Sequence, residues 1–173
     1  IIYRNNNPVS KVLVLDCDNT LWGGVVGEDG LDNLVLGLDE LGQAYLDFQF
    51  EIKKLKNNGI ILCLLSKNNE EDVWNVFGNH QTMLLKRDDI TAWRINWKNK
   101  DANMIELSEE LNLSLDSFVF WDDNPLERDK IFNSIPEVNT LDVPKEIFEW
   151  PTFLRSTNYF AKPIITKEDI KKT

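Results

Sequence analysis

The sequence predicts an α/β domain of three layers, with helices on both faces of a mostly parallel central sheet. Three observations predict it. Short apolar runs recur along the chain, too continuous for strands with one wet face. Stretches with helical spacing of apolar residues separate them. Several of the runs end in acids or in a serine-lysine pair, which is where a parallel sheet presents its ligand site.

The first run, residues 11–18 (KVLVLDCD), ends on Asp16 and Asp18. Leu41, Tyr45, Phe48, Ile52 and Leu55 then recur at steps of three and four, one face of a helix. Residues 59–66 (GIILCLLS) form the second strand and end on Ser66, followed by Lys67. Val73 and Phe77 mark a helix with Asn69 as cap, Glu70 and Glu71 in its first turn and Gly78 as its stop. Residues 82–86 (TMLLK) read as a short third strand. Met104, Leu107 and Leu111 mark the next helix, with Lys98 and Lys100 just before it. Residues 117–121 (SFVFW) are the fourth strand, running into Asp122 and Asp123. Asn124 and Pro125 read as cap and first residue of a helix, and residues 137–143 as a fifth strand.

At 173 residues the chain fits one domain, 1–173. It starts on Ile1, and its last residues (TKEDIKKT) read as a helix that starts on Thr166 and is then truncated, so a domain excised from a longer polypeptide is expected. Two cysteines make no disulfide framework or metal-ligand spacing, which favours a reducing, cytoplasmic setting. A net charge of −10 argues against nucleic acid as partner. No apolar run is long enough to span a bilayer.

Asp16, Asp18, Asp122 and Asp123 should meet at one rim of the sheet. Carboxylates so placed repel one another unless a hard divalent cation sits among them, and an all-oxygen set suits Mg²⁺. Asp16 ends its strand and is the candidate nucleophile toward phosphorus. Asp18 is placed to carry protons to and from the leaving and entering oxygens. Ser66, Lys67 and Lys98 or Lys100 would hold phosphoryl oxygens. Arg94, in TAWRINW, lies in the loop leading to that rim, free to fix a phosphate or carboxylate or to form a surface ion pair.

DCDNT, a strand-terminal Ser66, a lysine before a helix and FVFWDD occur in the order of the four motifs of the haloacid dehalogenase superfamily, which the chain resembles. The resemblance implies a Rossmann-like, Mg²⁺-dependent phosphoryl-transfer fold. It makes Asp16 the nucleophile, Asp18 the acid/base whose carbonyl also binds metal, Lys100 the third-motif lysine and Asp123 the main metal ligand, with Asp122 beside it. LDCDNTLWGGVVGEDG, LSKNNEEDV, RINWKNKDAN and LNLSLDSFVFWDDNPLER are similar to the FkbH-like branch, and more narrowly to bryostatin-type loading domains of polyketide assembly. That branch implies dephosphorylation of 1,3-bisphosphoglycerate and loading of the glyceryl group onto the phosphopantetheine thiol of an acyl carrier protein.

Cys17 is where these implications diverge. Strict alternation turns it away from Asp16 and Asp18, as a small core residue, and the flanking acids work against a thiolate. An acyl phosphate substrate favours Cys17 as thioester-forming acceptor. The expectation is therefore a glyceryl transferase through Cys17, with a simple phosphatase acting through Asp16, or a non-catalytic docking domain, as alternatives. Trp22, Gly23 and Gly24 belong to a flap, and neither gap between motifs has room for a lid domain, so a capless site is expected. His80 and Cys63 read as structural. Lys53, Lys54 and Lys56, or Arg155 and Lys162, are the candidate basic patch for an acidic carrier.

Overall fold

The computed structural model describes residues 9–160. Lys162 and the helix expected from Thr166 lie outside them. In chain order the elements are β1 (Val12–Leu15), α1 (Val26–Asp29), α2 (Glu40–Asn57), β2 (Ile61–Ser66), α3 (Glu70–Asn79), β3 (Ile90–Ile95), α4 (Lys100–Leu111), β4 (Phe118–Trp121), α5 (Pro125–Ser134), β5 (Asn139–Thr140) and α6 (Trp150–Ser156). The sheet runs β3-β2-β1-β4-β5 with every pairing parallel, so the three-layer α/β expectation holds.

Alternation along the strands builds two cores. Leu13 and Leu15 of β1 join Leu62, Leu64, Val119 and Trp121 on one face, covered by α2, α3 and α6. Val12 and Val14 join Cys63, Leu65, Phe118 and Phe120 on the other, against Met104 and Leu107 of α4 and Ile131 of α5. Because β1 is central, both its faces are dry, which is why it reads as an unbroken apolar run.

Local chemistry sets the helix ends. Asp39 caps α2 by accepting from the Gly42 amide, and Lys54 and Lys56 lie in its last turn. A side chain at Gly42 would meet the Gly37 backbone at 2.5 Å, so only glycine fits that entry turn. Asn124 caps α5 through the Leu126 amide, with Pro125 first in the helix as expected. Asn69 does precede α3, but it makes no capping bond: its amide instead contacts Asp72 and Trp97. The helix also runs one residue past the expected stop at Gly78.

The third strand is not at residues 82–86. That segment is buried through Met83 and Leu85, yet the Leu84 and Leu85 amides donate to the side-chain oxygen of Gln49 at 3.0 and 3.1 Å, not to a strand. A buried glutamine substitutes for a ladder there. The edge strand is β3, Ile90–Ile95, whose half-exposed Trp93 and Arg94 hide the apolar signal expected of a strand. The fifth strand is shortened to Asn139–Thr140.

Candidate active site

The carboxyl ends of β1, β2 and β4 converge on a cleft of ≈ 220 Å³. Asp16, Asp18, Ser66, Lys100, Asp122 and Asp123 line it, with Lys67 at its edge. β4 delivers its two acids from a rigid base: Trp121 packs 4.6 Å from Phe48 and 5.6 Å from Trp150, ring centre to ring centre.

Lys100, the first residue of α4, is the buried cation of the site. Its Nζ donates to Asp16 Oδ1 at 3.1 Å and to Asp122 Oδ2 at 2.6 Å. Burial alone would lower its pKa, but the two carboxylates more than reverse this and hold it above the ordinary lysine value. Asp122 is fully buried, and its other oxygen accepts from the Asn124 amide at 2.9 Å. Asp123 accepts from the Thr20 hydroxyl at 3.1 Å. Burial, followed by the charge of Asp16, raises both Asp122 and Asp123 above the usual carboxylate range.

Asp16, Asp122 and Asp123 each offer an oxygen within 4.8 Å of the others. A lone lysine leaves that triad with surplus negative charge, which adds to burial in raising the pKa of Asp122 and Asp123. The donor set is all oxygen and mutually close, so the residues fit a hard divalent cation.

The Asp18 side chain lies outside this triad. It is held by three donors: Trp22 Nε1 at 3.0 Å, the Val26 amide at 3.0 Å and Asn68 Nδ2 at 2.7 Å. Burial outweighs these bonds and, with Asp16 nearby, keeps its pKa raised, as suits a proton donor. Trp22, expected in a flap, is fully buried and positions Asp18. Asn19, at φ 57°, turns the chain back and accepts from the Gly24 amide. Among the described residues, the segments from Asp18 to Ser66 and from Ser66 to Lys100 hold no lid domain.

No family model and no curated protein matches the chain. Solved structures do. The chain is 42% identical, at a TM-score of 0.85, to the N-terminal part of a Bacteroides fragilis protein described as containing a phosphatase domain and complexed with Mg. That match covers 88% of this chain and 41% of the Bacteroides chain, so the present chain spans less than half of its relative's length. A haloacid dehalogenase-like family hydrolase from Xanthomonas campestris aligns over 90% of this chain and 94% of its own, at 11% identity and a TM-score of 0.56. The cobalt-bound deoxy-D-mannose-octulosonate 8-phosphate phosphatase from Haemophilus influenzae matches at 13% identity and a TM-score of 0.52, over 78% of this chain and 68% of its own.

The chain has a haloacid dehalogenase-like fold. Within it, Asp16, Asp18, Ser66, Lys67, Lys100, Asp122 and Asp123 line one cleft at the strand ends. Other expected residues stand elsewhere. Lys98 is exposed and does not line the cleft, whereas Lys100 does. Arg94 is in β3, not a loop, and is paired to Glu106 at 3.0 Å and Glu110 at 2.7 Å of α4, so the ion-pair alternative holds. The expected basic patch is neutralised: Lys53 and Lys56 face Asp89, while Lys54 and Arg155 face Glu51.

Cys17 is fully buried and belongs to the core of Leu13 and Leu15, the face that alternation assigns it. Burial, then Asp16 and Asp18, push its thiol well above the ordinary value; Ser66 and Lys100 pull the other way and lose. It does not line the cleft. Asn68, Thr20 and Arg128 were not singled out from the sequence. Arg128 donates to the carbonyls of Asp122 and Asp123 at 2.9 and 3.1 Å and so fixes the acidic turn. Thr20 sits inside DCDNT, but Asn68 and Arg128 carry no signal beyond lying close to motif residues.

Proposed function

We propose that this domain is a Mg²⁺-dependent phosphohydrolase acting through a phospho-aspartate at Asp16. The observation that carries the reading is the convergence of Asp16, Asp122 and Asp123 around buried Lys100 at the strand ends. The Mg complex of the Bacteroides relative, at 42% identity, supports the cation. Asp16 and Asp123 would hold it, with Asp122 kept in place by Lys100. Bound there, it supplies positive charge against the phosphoryl oxygens.

The chain's own groups supply the rest. An Asp16 oxygen attacks phosphorus; the bond from phosphorus to the ester oxygen breaks as Asp18 protonates that oxygen. Asp18, now ionised, takes a proton from water, whose oxygen attacks the same phosphorus and returns Asp16 as a carboxylate with inorganic phosphate released. Ser66 and Lys100 stand where they can hold the equatorial oxygens. Phosphate release from a phosphomonoester should require Mg²⁺ and fall by more than ~10³-fold in Asp16→Asn. Unchanged release in that variant would sink the reading.

Glyceryl transfer from 1,3-bisphosphoglycerate through Cys17 to an acyl carrier protein has weaker support, because the thiol is fully buried, outside the cleft and held protonated. Intact-mass measurement after incubation with Mg²⁺ and 1,3-bisphosphoglycerate separates the two. Phosphate release with no added mass is expected. A glyceryl adduct lost on adding the carrier, and missing in Cys17→Ala, would restore the transfer reading.

A further inference from the structure

A second, larger cavity of ≈ 520 Å³ opens beside the catalytic cleft. The two share Asn19 and Asp123, so one molecule can occupy both. Their linings differ in kind. The cleft walls are carboxylates, hydroxyl and ammonium groups. The second cavity is walled by Tyr45, Val143, Pro144, Ile147 and Trp150, largely apolar, and its size is that of a small-molecule site.

The rings of that wall are rigidly set. Tyr45 and Trp150 meet edge to face at 6.1 Å, and Trp150 is anchored by donating Nε1 to the Pro144 carbonyl at 2.7 Å. Two cations, Arg128 and Lys145, and two acids, Asp123 on the cleft side and Glu146 beside Lys145, also line the cavity. Arg128 uses one guanidinium nitrogen on the backbone of Asp122 and Asp123, and the residue lines the cavity. Lys145 is exposed and makes no ion pair among the described residues. A smaller cavity of ≈ 200 Å³ on the Lys67 side of the cleft is lined mostly by charged residues, with Ile131 its one apolar side chain and no aromatic ring.

We propose that the cavity between α2 and the segment leading into α6 receives the leaving group of the substrate, and that this group has an apolar body ending in an anion. Placing the ester oxygen at Asp18 and phosphorus at Asp16 leaves the organic part to run past Asn19 and Asp123 onto the Tyr45–Trp150 wall. A terminal carboxylate or phosphate then reaches Lys145 and the free edge of Arg128. With no lid domain among the described residues, this wall is the surface that selects one phosphomonoester over another. The inference rests on the phosphohydrolase reading.

The test uses three phosphomonoesters with alkoxide leaving groups of similar basicity: ethyl, benzyl and 4-carboxybenzyl phosphate. With Mg²⁺, kcat/KM should rise about tenfold or more from ethyl to benzyl, and again from benzyl to 4-carboxybenzyl. In Lys145→Glu, an exposed substitution, the advantage of 4-carboxybenzyl over benzyl should vanish or invert. Equal kcat/KM for the three esters overturns the leaving-group pocket while leaving the phosphohydrolase standing. A carboxylate advantage unaffected by Lys145→Glu overturns the placement of the anion. No release from any ester overturns the phosphohydrolase reading and the pocket with it.

Discussion

Replacing Lys100 by methionine tests the electrostatic design of the site directly. The chain length of the side chain is nearly kept, but the one cation buried among Asp16 and Asp122 is lost. At contact distances of 2.6 and 3.1 Å, each pair has a gross attraction of about 5–6 kcal/mol at an effective dielectric near 20. Desolvation of the ammonium offsets much of that, and stripping one partner from a buried ion pair typically costs about 3–5 kcal/mol. For a domain of 173 residues, 1 kcal/mol moves Tm by about 2–4 °C. Lys100→Met should therefore lower Tm by roughly 6–20 °C at pH 8 without metal.

The sign of the pH dependence follows from the carboxyls left behind. Without Lys100 they hold protons more tightly in the folded than in the unfolded chain, so the folded state gains as pH falls. The Tm deficit of the variant should narrow between pH 8 and about pH 5.5. It should also narrow with Mg²⁺ at pH 8, because the cation takes over the missing positive charge. Thermal unfolding followed by circular dichroism at both pH values reads all of this. A Tm within about 2 °C of wild type at pH 8, or a deficit indifferent to pH, would refute the account of Lys100 as the counter-charge of the acidic nest.

Other outcomes follow from the same structure. Saturating Mg²⁺ at 100 times its Kd should stabilise the wild type by about 2.7 kcal/mol, a Tm rise of roughly 5–11 °C; Asp123→Asn should abolish the rise, and its persistence would remove Asp123 from the cation site. Cys17→Ala should keep kcat for phosphate release within about threefold while costing about 1 kcal/mol of stability from a small core void; a loss of turnover beyond ~100-fold would make the thiol a participant. Asp89 is nearly buried: burial raises its pKa, but bonds from Lys53 and the Lys86 amide, with the charges of Lys53 and Lys56, outweigh it and hold the acid below its usual value. Its stabilisation is present in full above the unfolded value of about 3.9 and is lost as pH falls through the lower folded value. The stability gap between wild type and Asp89→Asn, from urea unfolding, should shrink from pH 6 to pH 3; a constant gap would contradict the ion pairing.

Much of this site was written in short stretches of sequence. DCDNT, LSK and FVFWDD each join a strand to the polar residues that its end must carry, and a parallel sheet brings all such ends to one edge. Strand alternation likewise assigned Cys17 to the Leu13 and Leu15 face, and the covering core keeps it there. What local pattern could not supply was lateral. Gln49 satisfies a segment 35 residues away, which makes an apolar run a loop while a mixed one becomes β3. Arg94 is drawn to α4, and the helix lysines to Asp89, by partners that only the packed layers bring near. Lys100 meets Asp16 across 84 positions of chain. The sequence by itself determined which residues end β1, β2 and β4, since each is an unbroken apolar run that stops at polar residues. Tertiary structure alone decided which charges found partners, because burial and Coulomb attraction depend on distance in space and not on order along the chain.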